Sequence, residues 1–169
     1  MVAGVPQKAF GSSTQELNDC QLSLSLTNEQ ADAVAEMLSG SEPWRSLNFS
    51  ASSLAHYLTR EDAALLRFAI IVENRVAGVI CVRSPWLRGP YIELLGLSPD
   101  CRGRGIGRQV LAWAETEARR EFKNLWVLAS SFNHQALGFY QSLGFRQVGT
   151  IPGLVAPEYD EIILRKVLS

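Results

Sequence analysis

The segment Arg102–Gly107 constrains this chain most, because it reads Arg-Gly-Arg-Gly-Ile-Gly between a strand-like run and an amphipathic helix. The run before it, residues 90–99, is apolar and of β type, and its closing proline disfavours helix in the residue before it. After it, Ile106, Val110, Trp113 and Ala114 recur at helical spacing, which predicts a helix to about Phe122. The predicted order is therefore strand, glycine loop and helix.

A loop of this kind at the start of a helix favours anion binding. The first backbone N–H groups of a helix are unpaired and carry the positive end of its dipole, and glycines let the main chain approach a ligand closely. Arg102, Arg104 and Arg108 add positive charge. Taken alone the pattern also fits a solvated loop, so a second motif is needed.

The second motif follows on the next strand and helix. Residues 124–131 form a buried-strand type run, and in residues 132–145 Asn133 is a predicted N-cap and Gly144 a predicted helix stop. Asn133 and Tyr140 lie two helical turns apart, so they share a face with a rise of about 10 Å. That span suits a long, thin ligand, although Asn133 as a simple cap and Tyr140 as a packing residue remain alternatives.

Together these two segments resemble the GNAT family of acetyl-coenzyme A-dependent N-acetyltransferases. Arg102–Gly107 resembles its pyrophosphate loop, and the second cofactor motif of the family is matched by Asn133, Ala136, Phe139, Tyr140 and Leu143-Gly144-Phe145. The resemblance extends from about Gln21 onward, and its motifs occupy residues 91–145. It implies an α/β fold of the α+β type, with about four helices on a mixed, mostly antiparallel sheet of six to seven strands. The sheet is expected to splay between its fourth and fifth strands, residues 91–98 and 125–131.

The length of 169 residues, 47% of them hydrophobic, fits one packed domain. We expect an acetyltransferase domain over residues 21–169. Residues 1–20 are rich in Ser, Gly, Gln and Asn, and we interpret them as a flexible leader or a peripheral arm.

The resemblance implies that acetyl-CoA is the cosubstrate and indicates how it lies. Its pantetheine arm would add along the backbone of Leu95, Gly96 and Leu97, and its pyrophosphate would meet the helix after Gly105. The implied cofactor-binding residues are Leu95, Gly96, Leu97, Arg102, Gly103, Arg104, Gly105, Ile106, Gly107, Asn133 and Tyr140. Gly96 is expected to mark a bulge or to ease local twist.

The implied chemistry is attack of a neutral amine on a thioester. Tyr140 occupies the position of the family's general acid, which donates a proton to the leaving thiolate. Glu93, a carboxylate in an apolar strand and expected to share a face with Leu95 and Leu97, is our first choice for the base. The alternative is a structural carboxylate paired with an arginine. Leu128 stands where some relatives carry a glutamate, and the weaker candidates for the base are Glu158, Asp160 and Glu161.

In this fold the acceptor pocket is built from the first two helices and the loop between the last strands. We expect an aromatic wall of substrate-binding residues there: Trp44, Tyr57, Trp86 and Tyr159, with Phe49 and His56 near them. Such a wall would suit a small amine or a peptide N-terminus. Exposed aromatic residues also occur where subunits pack together, so a homodimer is an alternative explanation for these residues.

Composition limits the remaining functions. The formal net charge of −1 gives no global field for nucleic acid or an anionic membrane, and no run of 18 apolar residues predicts a membrane span. Cys20, Cys81 and Cys101 form no CxxC pair, which argues against a zinc site and favours a reducing cytoplasm. We therefore expect a cytoplasmic, metal-free N-acetyltransferase, with a non-catalytic acyl-CoA binding or sensing module as the alternative.

Overall fold

A computed structural model describes residues 8–169 as one sheet covered by helices on both faces. The strands are β1 (Thr14–Glu16), β2 (Gln21–Leu24), β3 (Leu65–Val72), β4 (Arg75–Trp86), β5 (Gly89–Leu97), β6 (Asn124–Ser130), β7 (Arg146–Ile151) and β8 (Glu161–Val167). The helices are α1 (Asn28–Ser39), α2 (Ala51–Thr59), α3 (Ile106–Arg119) and α4 (His134–Ser142), with a 3₁₀ turn at Pro99–Cys101.

The sheet is mixed and mostly antiparallel, as expected. Its strand order is β1-β2-β3-β4-β5-β6-β8-β7, and β5 and β6 form its parallel pair. The sheet has eight strands rather than six to seven, because the chain before residue 21 adds β1 at the edge beside β2. The polar residues of that segment gave no alternating pattern from which a strand could be predicted.

Two apolar clusters hold the helices on the two faces. On one face α1 and α2 pack through Val34, Leu38, Leu54 and Leu58 against β3, β4 and β5. On the other face α3 and α4 pack through residues such as Ile106, Val110, Trp113 and Tyr140 against the opposite side of the same strands. The inner positions of α1 recur at helical spacing, and Thr27 caps that helix with a reciprocal capping box to Gln30.

A β-bulge and a splay shape the centre of the sheet. Cys81 pairs with Leu94, but the next residue, Val82, pairs with Ile92, so Glu93 is an extra residue in β5. In the described chain β5 pairs with β6 only at Tyr91 and Ile92. Because a bulge bends its strand and increases the local twist, the C-terminal half of β5 diverges from β6. The sheet therefore splays between β5 and β6, which correspond to the expected segments 91–98 and 125–131.

The segment before β2 is anchored where the structure describes it. Phe10 is 3% exposed and packs edge-on against Trp113 of α3, with 5.5 Å between the ring centroids. The Phe10 N–H donates to the Glu117 carboxylate at 2.8 Å, and Ala9 N–H donates to Glu121 at 2.9 Å. Residues 8–20, here called the N-terminal arm, are therefore attached to α3 at Ala9 and Phe10. The interpretation of residues 1–20 as a leader or a peripheral arm stays a prediction. Residues 1–7 of the predicted leader lie outside the described residues.

Candidate active site

Two adjoining cavities occupy the splay. The first, here called the loop cleft, has a volume of about 400 Å³ and runs from the end of β5 across the glycine loop to α4. The second, the inner cavity, has a volume of about 190 Å³ and lies between the 43–49 segment, the splayed strands and the loop before β8. Both cavities are lined by Pro43, Trp44, Leu95, Asn133, Ala136 and Tyr140.

The glycine loop has the backbone shape that an anion site needs. Gly103 and Gly105 have φ angles of +70° and +81°, and Gly105 is the N-cap of α3. A Cβ added at either position would meet nothing within 4 Å, so the loop surface is open above these glycines. A Cβ at Gly107 would lie 3.4 Å from the Phe139 ring, which holds α4 beside the start of α3. The unpaired N–H groups of α3 thus face an open cradle.

The three arginines near the loop differ in their partners. The Arg102 Nε donates to the Leu97 carbonyl oxygen at 3.0 Å, whereas the Arg104 guanidinium pairs with Glu73 at 3.1 Å. Arg108 lies 3.5 Å from the Ser142 hydroxyl. Arg102 and Arg108 line the loop cleft, but Arg104 does not. The positive charge that reaches the cleft therefore comes from two arginines and the α3 dipole.

The exposed edge of β5 supplies a surface for an extended ligand. Leu95, Gly96 and Leu97 line the loop cleft, beyond the two residues of β5 that pair with β6. A Cβ at Gly96 would lie 2.3 Å from a Leu38 methyl and 3.1 Å from the Trp44 ring. The absence of a side chain at Gly96 therefore lets Leu38 of α1 and Trp44 approach the strand closely. The bulge in β5 lies at Glu93 and not at Gly96.

Asn133 and Tyr140 sit where the two cavities meet. The Asn133 side-chain oxygen accepts from the Ala136 N–H at 3.2 Å, so it caps α4 while it lines both cavities. Tyr140 is 7% exposed, and its ring packs against Phe139 and Phe145. Burial raises the pKa of the Tyr140 phenol, so its hydroxyl holds its proton at neutral pH. Ile106, the first residue of α3, is in contrast buried in the core.

Glu93 is held by an ion pair beside the splay. Both of its carboxylate oxygens accept hydrogen bonds from the Arg83 guanidinium, and Tyr57 O–H donates to Oε1 at 3.0 Å. The Arg83 guanidinium also donates to Asp62 at 3.1 Å, and these carboxylates raise its pKa. The bulge turns Glu93 toward α2, whereas Leu95 and Leu97 pack against the opposite cluster. The expectation that Glu93 shares their face was therefore wrong.

The inner cavity has mainly apolar side chains in its walls, and its polar groups come from Tyr91, Glu93, Ser130, Asn133, Tyr140 and Glu161. Trp44 is the predicted substrate-binding residue that lines it; the wall also includes Leu47, Phe49, Tyr91, Leu154 and Val155. Tyr57 lies under α2 beside Glu93, Trp86 stacks with Tyr91 and Trp126, and Tyr159 stacks on Phe132. These three aromatic residues do not line the cavity. The sequence shows which residues are aromatic, but it does not show which of the loops that carry them turn toward the cavity.

Sequence reasoning underrated Glu161, which lines the inner cavity and is 5% exposed. Its Oε1 accepts from the Ser130 hydroxyl at 2.5 Å. Burial raises the pKa of its carboxyl, and the hydrogen bond from Ser130 opposes that shift. The signal in the sequence was a glutamate directly before the apolar run 162–164, which resembles the position of Glu93 beside apolar residues.

The profile of the Acetyltransferase (GNAT) family matches residues 29–145, which span α1, the glycine loop and α4. This chain belongs to the GNAT family. GNAT acetyltransferases use acetyl-CoA as their cosubstrate, and both sequence motifs of this GNAT chain lie in the matched region. The mixed sheet with four helices is the GNAT fold.

Individual proteins agree with this assignment. The chain is 37% identical over 71 residues to blasticidin-S acetyltransferase of Streptomyces morookaense, covering 42% of this chain and 50% of that protein. It is 32% identical over 126 residues to the N-alpha-acetyltransferase RimI of Mycobacterium tuberculosis, covering 70% and 72% of the two chains. The structure of RimL in complex with coenzyme A aligns with a TM-score of 0.70 at 16% identity, covering 90% and 96%. The chain thus spans about half the length of some relatives and more of others.

Among residues 8–169 no group of three or more His, Cys, Asp or Glu side chains is placed to hold a metal ion. None of the helices in that range is long and apolar enough to cross a membrane.

Proposed function

We propose that this GNAT protein transfers the acetyl group of acetyl-CoA to a primary amine, by direct attack in a complex that holds both substrates. The observation that carries the proposal is the meeting of the loop cleft and the inner cavity at Tyr140. The loop cleft, with the glycine loop at one end, opens there onto the inner cavity, which is lined by Glu93 and Glu161. Two substrates that approach from these two sides come together at one buried phenol.

The described residues fit acetyl-CoA in the loop cleft. The open backbone at Gly103 and Gly105, the start of α3 and the two lining arginines would hold the pyrophosphate. The exposed edge of β5 from Leu95 to Leu97 would hold the pantetheine arm in the manner of an added strand. Asn133 and Tyr140 would border the thioester, which brings the acetyl group for transfer.

Tyr140 would act as the general acid. The leaving group is the conjugate base of a thiol with a solution pKa of about 8.5, and the Tyr140 phenol, which is protonated at neutral pH, would donate its proton to the sulfur as the C–S bond breaks. The proposed base from sequence is Glu93, and its pairing with Arg83 favours the alternative role of a structural carboxylate that holds α2 to the bulge. Two further expectations from the sequence, a cytoplasmic location and a homodimer, stay predictions.

The experiment is release of coenzyme A thiol from acetyl-CoA with a panel of amines and peptides and a control without acceptor. Acceptor-dependent release is expected. Tyr140→Phe is expected to lower kcat by about 10²-fold or more, the usual loss when a general acid is removed, with unchanged affinity for coenzyme A. Tyr159→Phe is the matched control, because that ring stacks on Phe132 outside both cavities.

The alternative of a non-catalytic acyl-CoA sensor predicts a different result. A sensor binds the ligand, shows no acceptor-dependent release and does not respond to Tyr140→Phe. Failure of the protein to bind coenzyme A would contradict both functions. None of the relatives named above supports the sensor, since each is an acetyltransferase by name.

A further inference from the structure

Glu161 has a rigid and buried place at the inner cavity. It is the first residue of β8 and pairs with Ser130 of β6 on one side and with Ile151 of β7 on the other. Because strands flank it on both sides, its backbone cannot move away from the cavity without breaking the sheet. The Ser130 hydroxyl donates to one carboxylate oxygen, Oε1.

The charge of Glu161 is not balanced within the described chain. Glu93 and Glu161 are the two charged residues that line the inner cavity, and Glu93 is neutralised by Arg83. No lysine, arginine or histidine of residues 8–169 forms an ion pair with Glu161. A buried carboxylate without a cationic partner is costly, and a cationic ligand would remove that cost.

We propose that Glu161 is the general base of this site and that the inner cavity takes a primary amine attached to an apolar group. This inference rests on the proposed acetyl transfer and names the base and the acceptor class for it. The amine would meet the single uncompensated carboxylate, and its apolar part would lie against Trp44, Leu47, Phe49, Leu154 and Val155. A second charge on the acceptor would find no partner in the cavity.

The proton balance defines the role of each group. One N–H bond of the ammonium breaks and its proton passes to Glu161, so the freed lone pair forms the N–C bond with the thioester carbonyl carbon. As the C–S bond breaks, the sulfur takes the Tyr140 hydroxyl proton. The nitrogen then loses a second proton, which restores the Tyr140 phenol through solvent, and Glu161 releases its proton to solvent. One proton is released for each amide formed.

A base is needed because the acceptor is protonated in solution. An alkylamine with a pKa of about 10.4 is in its neutral form to roughly one part in 2,500 at pH 7. Glu161 and Tyr140 line the same cavity, so base and acid address one substrate pair. The other titratable groups that line it are Tyr91 and Glu93 on β5, and Arg83 reaches it through Glu93.

The kinetic test uses 2-phenylethylamine as the acceptor and coenzyme A release as the readout across pH 6 to 10. Glu161→Gln keeps the size of the side chain and is expected to lower kcat/KM by about 10²-fold or more at pH 7. Its rate should rise tenfold per pH unit as free amine accumulates and approach that of the parent near pH 10. Glu161→Asp, which keeps a carboxylate, should lose less.

Matched variants separate Glu161 from its neighbours. Glu36→Gln, at an exposed carboxylate of α1 that lines neither cavity, should keep the parent rate and pH profile. Glu93→Gln should lose less at pH 7 than Glu161→Gln and keep the shape of the parent profile. Parent-like kinetics in both Glu161 variants, or the pH-dependent loss in Glu93→Gln instead, would overturn the assignment.

An equilibrium binding measurement tests the role of Glu161 in amine binding independently of acetyl transfer. Calorimetric titration of the coenzyme A-bound protein with 2-phenylethylamine, in two buffers of different ionisation enthalpy, gives the affinity and the protons exchanged. Glu161→Gln is expected to bind the amine at least tenfold more weakly with altered proton exchange. 1,4-Diaminobutane should bind the parent more weakly than 2-phenylethylamine. Equal affinities in parent and variant, or preference for the diamine, would contradict the inference; binding without any acceptor-dependent thiol release would contradict the proposed function alone.

Discussion

At the scale of single residues, Glu93 and Glu161 show how neighbours decide what a carboxylate does. Both line the inner cavity; the sequence made Glu93 the first choice for the base and Glu161 a weaker candidate. Arg83 holds both oxygens of Glu93, whereas Glu161 has the Ser130 hydroxyl as its hydrogen-bond donor. An arginine stabilises the charged form, and burial without a cation destabilises it. Glu161 is therefore better suited than Glu93 to accept a proton from a substrate.

The raised pKa of Glu161 predicts a cost in stability. Since its folded pKa lies above the unfolded value, the native protein binds more protons than the unfolded chain between the two values, and stability is lost as pH rises through that window. Glu161→Gln removes this loss. The variant should have a higher Tm than the parent at pH 7, and the difference should shrink as the pH falls below about 4, where the carboxyl becomes protonated in both states.

Thermal unfolding followed by circular dichroism measures this effect. Glu158→Gln, at an exposed position, should show no such pH-dependent gain. A Glu161→Gln variant that is less stable than the parent at pH 7 would mean that the carboxylate contributes to the fold instead of opposing it, which is the opposite of a site held ready for a cationic substrate.

At the scale of elements, the glycine loop and α3 show a conformation fixed by backbone geometry. Gly105→Ala is expected to destabilise the protein by about 1–2 kcal/mol, because a φ of +81° is strained for a residue with a Cβ while the space around it is open. Gly138→Ala is the control: this exposed glycine lies within α4 with nothing near its Cβ position, and alanine there should stabilise by about 0.5–1 kcal/mol. Urea unfolding of both variants checks the contrast, and equal effects would contradict it.

Elements governed by local chemistry were predictable from the sequence. The strand-loop-helix order around Gly105 and the Asn133 cap of α4 follow from residue types at fixed spacings. The orientation of Glu93 did not follow, because a period-two pattern assumes an unbroken strand and the bulge depends on how β4 pairs with β5. The selection of Trp44 over Tyr57, Trp86 and Tyr159 for the cavity likewise depends on packing between distant segments.

At the scale of the whole molecule, the N-terminal arm joins the first strand to α3. Phe10 fills a position against Trp113, and its backbone satisfies the buried Glu117. Phe10→Ala is expected to lower the free energy of unfolding by about 3 kcal/mol, the usual cost of removing a buried aromatic ring. Leu87→Ala, at a side chain 60% exposed, should change it by less than about 0.5 kcal/mol. Similar midpoints in urea for both variants would contradict an anchored arm.

The splay divides the sheet into two parts joined by the short β5–β6 pairing, and the proposed cosubstrate would bridge them. Coenzyme A at 100 times its Kd is expected to stabilise the protein by about 2.7 kcal/mol, which for a chain of this length corresponds to a Tm rise of roughly 5–10 °C. Hydrogen exchange should slow at the amides of residues 93–97 and 103–108, where a strand edge and a helix start gain partners. The amides of β2 and β3, remote from the loop cleft in the strand order, serve as the internal control. Uniform protection over all strands, or no protection of the β5 edge, would contradict binding in the splay.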